Sequence, residues 1–149
     1  MAFEFVELSE VGGGSVWLNR DQVLGWVVVD ANTQRLFLND DGTCIVASTS
    51  TTLASTLAFN VATLVGAFVS FTLRSSGKVV MIGRKHITDL RAFDATNTRI
   101  GLVNGAEVKV TAVCDPDEDE SWADVLEVLL GRDDVYGLVP LTRRQTVLD

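Results

Sequence analysis

Proline, histidine, cysteine and tyrosine are scarce in this chain: among 149 residues there are 2 Pro, 2 Cys, 1 Tyr and a single His. So few prolines leave long stretches whose backbone is free to enter strand ladders. One histidine, His86, gives no cluster for a zinc site, and no local spacing gathers Cys44, Cys114 or carboxylates around it. The two cysteines lack C-x-x-C spacing and read as small buried hydrophobes rather than as a redox pair. Basic residues are short as well. Twelve Lys and Arg against 20 Asp and Glu leave a net charge of -8, the wrong sign for wrapping duplex nucleic acid through phosphates, although a local basic patch is compatible with it. No nucleic acid is therefore expected among the partners.

Charge is missing altogether from residues 42–73, a stretch long enough to raise a membrane span. Its many Ser, Thr and Asn residues favour a buried segment or a subunit interface instead, and no membrane partner is expected. The N-terminus, Met-Ala-Phe-Glu-Phe-Val-Glu, carries acids where a secretory signal has basic residues, which points to a cytoplasmic or intracellularly assembled protein.

What the chain does have is a repeat. Val16, Arg20, Asp30, Ala31, Arg35 and Leu38 recur, at a constant separation of 64 residues, as Val80, Arg84, Asp94, Ala95, Arg99 and Leu102. Trp17/Met81, Leu18/Ile82, Val23/Ile87 and Leu36/Ile100 keep apolar character. A one-residue deletion then brings Gly42 onto Gly105, at a separation of 63. Cys44 and Cys114 do not match across the copies.

The composition of each copy is β-type. Residues 3–11 alternate and end at Gly12-Gly13-Gly14, a turn without the Gly-Lys-Ser/Thr of a phosphate loop. Strands follow near residues 16–18, 25–30, 34–39 and 43–47, with Asp40-Asp41-Gly42 as a hairpin turn. Leu53, Leu57, Val61 and Leu64 fall near helical spacing. The second copy opens at residues 67–73, turns at Ser75-Ser76-Gly77, and repeats the strands at 79–82, 89–93, 98–103 and 107–113 with Asn104-Gly105 as the matching hairpin. Ser121-Trp122-Ala123-Asp124 reads as a capping box for a helix whose apolar stripe is Trp122, Val125, Leu126 and Leu129.

The expected fold is thus mainly β: two tandem small antiparallel β-sheet or β-barrel units, each followed by a short helix, plus a C-terminal arm. The expected boundaries are 1–66, 67–131 and 132–149. The tail has no counterpart in the first copy. Its Val135, Tyr136, Leu138, Val139 and Leu141, with Arg143 and Arg144, read either as an extra strand or as an arm contacting a partner.

The segment V-W-L-N-R-D-Q-V (residues 16–23), followed by L-F-L-N-D-D-G-T-C-I-V (residues 36–46), resembles the small flagellum-associated FlbD-type β domain. In the second copy Gly83 replaces Asn19 of that pattern. The resemblance implies a non-enzymatic binding or assembly module and carries no catalytic residue. The chain as a whole, a compact acidic duplicated β unit with an apolar tail, is similar in style to phage capsid decoration or cement proteins. That likeness implies self-association, a larger assembly such as a capsid shell as partner, and a virion surface location after assembly in the host cytoplasm.

Other chemistry is set aside on the residues themselves. The acidic run of residues 115–120 lacks the Gly and Glu of a calcium loop at positions six and twelve. His86 aligns with Gln22, which suits a polar surface or capping site better than a catalytic base. The repeated Arg20/Arg84, Arg35/Arg99 and Asp30/Asp94 fit turn geometry and solvated or ion-paired strand faces. Trp17, Trp26 and Trp122 read as core or interface residues. No catalytic, cofactor-binding or metal-binding residue is assigned. The leading expectation is a non-enzymatic structural protein, and its rival is a small regulatory module contacting a partner protein or nucleic acid.

Overall fold

The computed structural model describes residues 5–57, 68–92, 96–111 and 147–149. It is mainly β, as the alternating apolar pattern requires. The strands are β1 (Phe5–Ser9), β2 (Ser15–Asn19), β3 (Val23–Asp30), β4 (Thr33–Leu38) and β5 (Thr43–Ala47), followed by helix α1 (Ser50–Leu57). Then come β6 (Phe68–Thr72), β7 (Val79–Gly83), β8 (Ile87–Ala92), β9 (Thr98–Leu102), β10 (Glu107–Val110) and β11 (Val147–Leu148). Among the described residues there are three sheets, with strand orders β1-β2, β5-β4-β3-β7-β6 and β11-β10-β9-β8. The chain divides into two compact units, Met1–Ser70 with Lys78–Gly83 and Phe71–Gly77 with Arg84–Asp149.

In the first unit, β1 turns Val6 and Leu8 inward and Phe5, Glu7 and Ser9 outward. Val6, Leu8, Val23, Trp26, Leu36, Val46, Leu53 and Leu57 make one core, with Met81 and Phe68 packed against it. Each of the larger side chains contributes about 1.5–3 kcal/mol by leaving water. Trp26 is the centre of that core. It is wholly buried, its indole Nε1 donates to the Ser50 hydroxyl at 2.8 Å, and its ring lies 4.8 Å from that of Phe68. The Ser50 contact ties the start of α1 to β3, while Leu53 and Leu57 supply the buried face of this Ser- and Thr-rich helix. Continuous burial of Val23, Leu24, Gly25, Trp26 and Val27 marks β3 as a central strand, covered on both faces.

At Gly25 the neighbouring strand comes unusually near. A Cβ built there would collide with the Met81 carbonyl oxygen and stand 2.8 Å from the Phe37 ring. Only a bare Cα lets β7 pair with β3 through Gly25↔Ile82, Trp26↔Met81 and Val27↔Val80.

The second unit is built on the same ladder. In β3–β4 the partners are Val23↔Leu38, Gly25↔Phe37, Trp26↔Leu36 and Val27↔Arg35. In β8–β9 they are Ile87↔Leu102, Asp89↔Gly101, Leu90↔Ile100 and Arg91↔Arg99, each 64 residues on, with the same irregularity after the first pair. The turns repeat too. Leu38 N–H donates to the Gly42 carbonyl and Leu102 N–H to that of Ala106. The Gly42 amide binds the Asp40 carboxylate and the Ala106 amide the Asn104 side chain.

The one-residue deletion expected from the glycines is therefore not in the structure. Asp41, not Gly42, is the counterpart of Gly105, and both have positive φ, 70° and 85°. Aspartate tolerates the left-handed region well enough to stand where the other copy has glycine.

His86 also differs from expectation: it is buried, at 7% exposure, and its carbonyl accepts from Val103 N–H as that of Gln22 accepts from Asn39. Of the tail, β11 adds to β10 in parallel, through Glu107↔Val147 and Val108↔Leu148. Val135, Tyr136, Leu138, Val139, Leu141, Arg143 and Arg144 lie outside the described residues, as do Cys114, Asp94, the acidic run 115–120 and the helix expected near residue 121. No helix among the described residues is long and apolar enough to cross a membrane.

Two substitutions test this geometry. Gly25→Ala is expected to lower unfolding free energy by at least about 2 kcal/mol, because backbone rather than a movable side chain blocks the new methyl. Gly105→Asp is expected to cost less than about 1 kcal/mol and Gly105→Val clearly more, since β-branched side chains resist positive φ. Urea titration followed by circular dichroism measures both.

Candidate functional site

The outward face of the β8-β9-β10 sheet carries a line of cations. Arg91 lies directly opposite Arg99 on β9, and Arg99 lies directly opposite Lys109 on β10. Strands are spaced about 4.8 Å apart, so the three side chains leave the sheet along a line roughly 10 Å long. On β9 and β10 the neighbours of Arg99 and Lys109 along the strand, Ile100, Val108 and Val110, point the other way and are fully buried. That alternation puts Arg99 and Lys109 on the face opposite the buried residues; Arg91 is exposed, and Arg99 and Lys109 are half-buried.

The face is not uniformly basic. Two residues along, Asp89 and Glu107 flank Gly101 across the same three strands. Asp89 is held from two sides: Thr88 Oγ1 donates to one carboxylate oxygen at 2.8 Å, and Arg91 Nε lies 3.3 Å from the other. At the β11 end Arg74 grips Asp149 in a fork, Nε to Oδ1 at 2.9 Å and Nη2 to Oδ2 at 2.6 Å. The Asp149 carbonyl accepts from the amides of Ser75 and Ser76. The hydrogen bond from Arg74 holds the Asp149 carboxyl below its ordinary value despite some burial, and Lys109 adds to the pull.

The first unit holds apolar residues at two of the three corresponding places. Arg35 corresponds to Arg99, but Val27 stands for Arg91 and Ile45 for Lys109, in the same cross-strand register. Across the ladder Arg35 sits opposite Val27 and Ile45, and Arg99 opposite Arg91 and Lys109. Asp30 does follow turn geometry, its carboxylate accepting from the Asn32 amide at 2.8 Å.

A second exposed feature lies on the β1–β2 hairpin. Trp17 is 62% exposed and Phe5 48%. Trp17 is directly opposite Glu7, and Phe5 is its diagonal neighbour on β1. Of the tryptophans expected in core or interface, Trp26 is core and Trp17 is surface, while Trp122 lies outside the described residues.

Cys44 is a free, half-buried thiol, pushed above its ordinary value by burial and then by the Glu10 carboxylate, which keeps it protonated at neutral pH. Among the described residues no three His, Cys, Asp or Glu side chains are grouped to hold a metal ion.

No protein-family model matches the chain, and no curated protein matches it. Among solved structures it is similar to the LytTr DNA-binding domain of a methyl-accepting/DNA response regulator from Bacillus cereus, at 16% identity and a TM-score of 0.48, over 88% of this chain and 100% of that one. The expectation that nucleic acid is not among the partners is corrected here. That solved structure is described as a DNA-binding domain, and the net negative charge that motivated the expectation does not describe the β8-β9-β10 face.

The Arg74–Asp149 fork has a pH consequence. A carboxyl whose folded-state pKa is lowered stabilises the fold above its ordinary pKa, and that contribution is lost as pH falls through the lowered value. Docking of β11 is therefore expected to be intact at neutral pH and to weaken in acid, below about pH 4. Asp149→Asn removes this acid dependence and loosens β11 at neutral pH, read as faster amide exchange in β10 and β11.

Proposed function

We propose that this chain is a non-enzymatic binding module whose second unit contacts nucleic acid through its phosphate backbone. The observation that carries the reading is the cross-strand row Arg91, Arg99 and Lys109. A polyanion laid along the row meets three cationic side chains and releases condensed counterions.

Arginine suits the task because its fork matches phosphate oxygens, with lysine as a compact point charge beside it. Contacts of this kind position a protein without reading bases, so the row supports sequence-independent binding. The ion pair from Asp89 to Arg91 orients that guanidinium across the face. A virion-coat role draws on the repeat, the charge-free segment and the tail, and no feature of the described faces favours it.

Fluorescence anisotropy of the purified chain with a labelled duplex, titrated with salt, tests the proposal. Wild-type protein is expected to bind at low salt and to weaken steeply as salt rises. Arg91→Ala with Arg99→Ala and Lys109→Ala is expected to weaken binding and to flatten the log–log salt slope by roughly 0.9 per lost contact. Arg35→Ala, at the corresponding place in the first unit, leaves binding unchanged. Absence of binding at low salt, or a triple variant that binds like wild type, overturns the reading.

A further inference from the structure

The β1–β2 and β6–β7 hairpins hold corresponding places in the two copies, yet their second strands finish differently. β7 is flanked on both sides, by β6 and by β3. β2 has β1 as its only strand neighbour among the described residues. Its inward residues Val16 and Leu18 lean on the core of the first unit, so the strand is anchored while its far edge carries no strand among the described residues.

An open strand edge is a template for another strand, and proteins ordinarily blunt such edges with charge, proline or a bulge. β8 is guarded in that way. It carries Asp89 at the position of Gly25, ion-paired to Arg91, where β3 needs a bare Cα to admit β7. β2 carries no guard. Ser15, Val16, Trp17, Leu18 and Asn19 include no charge and no proline, and their register with β1 runs without a bulge.

The strand is also self-complementary. Laid antiparallel on itself about Trp17, it sets Val16 against Leu18, Ser15 against Asn19, and Trp17 against Trp17. We propose that β2 pairs with β2 of a second copy of this chain, about a two-fold axis at Trp17, merging the hairpins into a four-stranded sheet β1-β2-β2-β1. The two Trp17 rings and the two Phe5 rings then share one face, which accounts for the exposure of both residues at 62% and 48%. Such an isologous contact uses one patch twice and closes at two copies. It does not depend on the nucleic-acid reading.

Sedimentation velocity and cysteine cross-linking of the full chain test it. The background is Cys44→Ser with Cys114→Ser. Opposed Cα atoms in an antiparallel pair lie about 4.5–5.5 Å apart, within disulfide reach. Trp17→Cys is expected to give a disulfide-linked dimer on mild oxidation, and Val16→Cys with Leu18→Cys, which keeps the indole, the same. Glu7→Cys, on the inner strand, is expected to give none. In the otherwise native chain Trp17→Lys is expected to raise the dimer dissociation constant by about 30-fold or more, the effect of losing a central aromatic anchor, with the circular dichroism unchanged.

A chain that sediments as a monomer at every concentration, or a dimer indifferent to Trp17→Lys, overturns the proposal. So does cross-linking that requires Leu90→Cys on β8 in addition to Trp17→Cys, which assigns the edge to a different strand.

Discussion

The approach of β7 to β3 at Gly25 is the constraint on which the first unit depends. β3 is the strand that carries Trp26, and Trp26 links the sheet to α1 through Ser50 and to β6 through the Phe68 ring. A side chain at residue 25 strains the β3–β7 pairing, because the Met81 carbonyl occupies the space a Cβ needs. A single hydrogen atom at that position admits a strand that begins more than fifty residues later in the chain. In the copy that carries Asp89 at this place, β8 is the outer strand of its sheet among the described residues. Two ladders with identical internal register thus present different residues at this position.

The same economy governs the faces. Val27, Arg35 and Ile45 cross the first sheet, and Arg91, Arg99 and Lys109 cross the second, at equal spacing and with the same strand partners. Exchanging two apolar residues for two cations changes a mixed surface into a cationic row without altering the backbone. Surface substitutions on a strand are inexpensive when the opposite face already fixes the register. The repeated ladder thus carries, in the second unit, a set of charges that the first lacks.

Much of this was legible in the sequence, and the rest was hidden for identifiable reasons. The alternation in β1, the hairpins at Asp41 and Asn104-Gly105, and the helical spacing of Leu53 and Leu57 all correspond to observed elements, because each depends on local periodicity or turn chemistry. The cationic row was not found. Aligning Gly42 with Gly105 shifted the second half of the repeat by one residue, which placed Lys109 beside inward-facing Val46 instead of outward-facing Ile45. In a strand a shift of one exchanges the faces. Glycine identity was the misleading signal, since the turn needs positive φ and Asp41 supplies it. The nearness of β7 to β3 was equally hidden: a long-range pairing leaves no periodic trace, and Gly25 alone reads as a weak point in a strand rather than as the opening for another.

The net charge of -8 misled for a different reason. A total charge sets solubility and long-range drift, but contact with a phosphate is decided within about a Debye length, roughly 8 Å at physiological salt. Over that distance a sheet face presents only the residues of one parity from three or four strands. On the β8-β9-β10 face those residues are Asp89, Arg91, Arg99, Glu107 and Lys109, a set with a positive balance and with its cations adjacent. The sheet sorts charge by parity before any partner arrives, and the resulting local field bears no fixed relation to the sum over the chain.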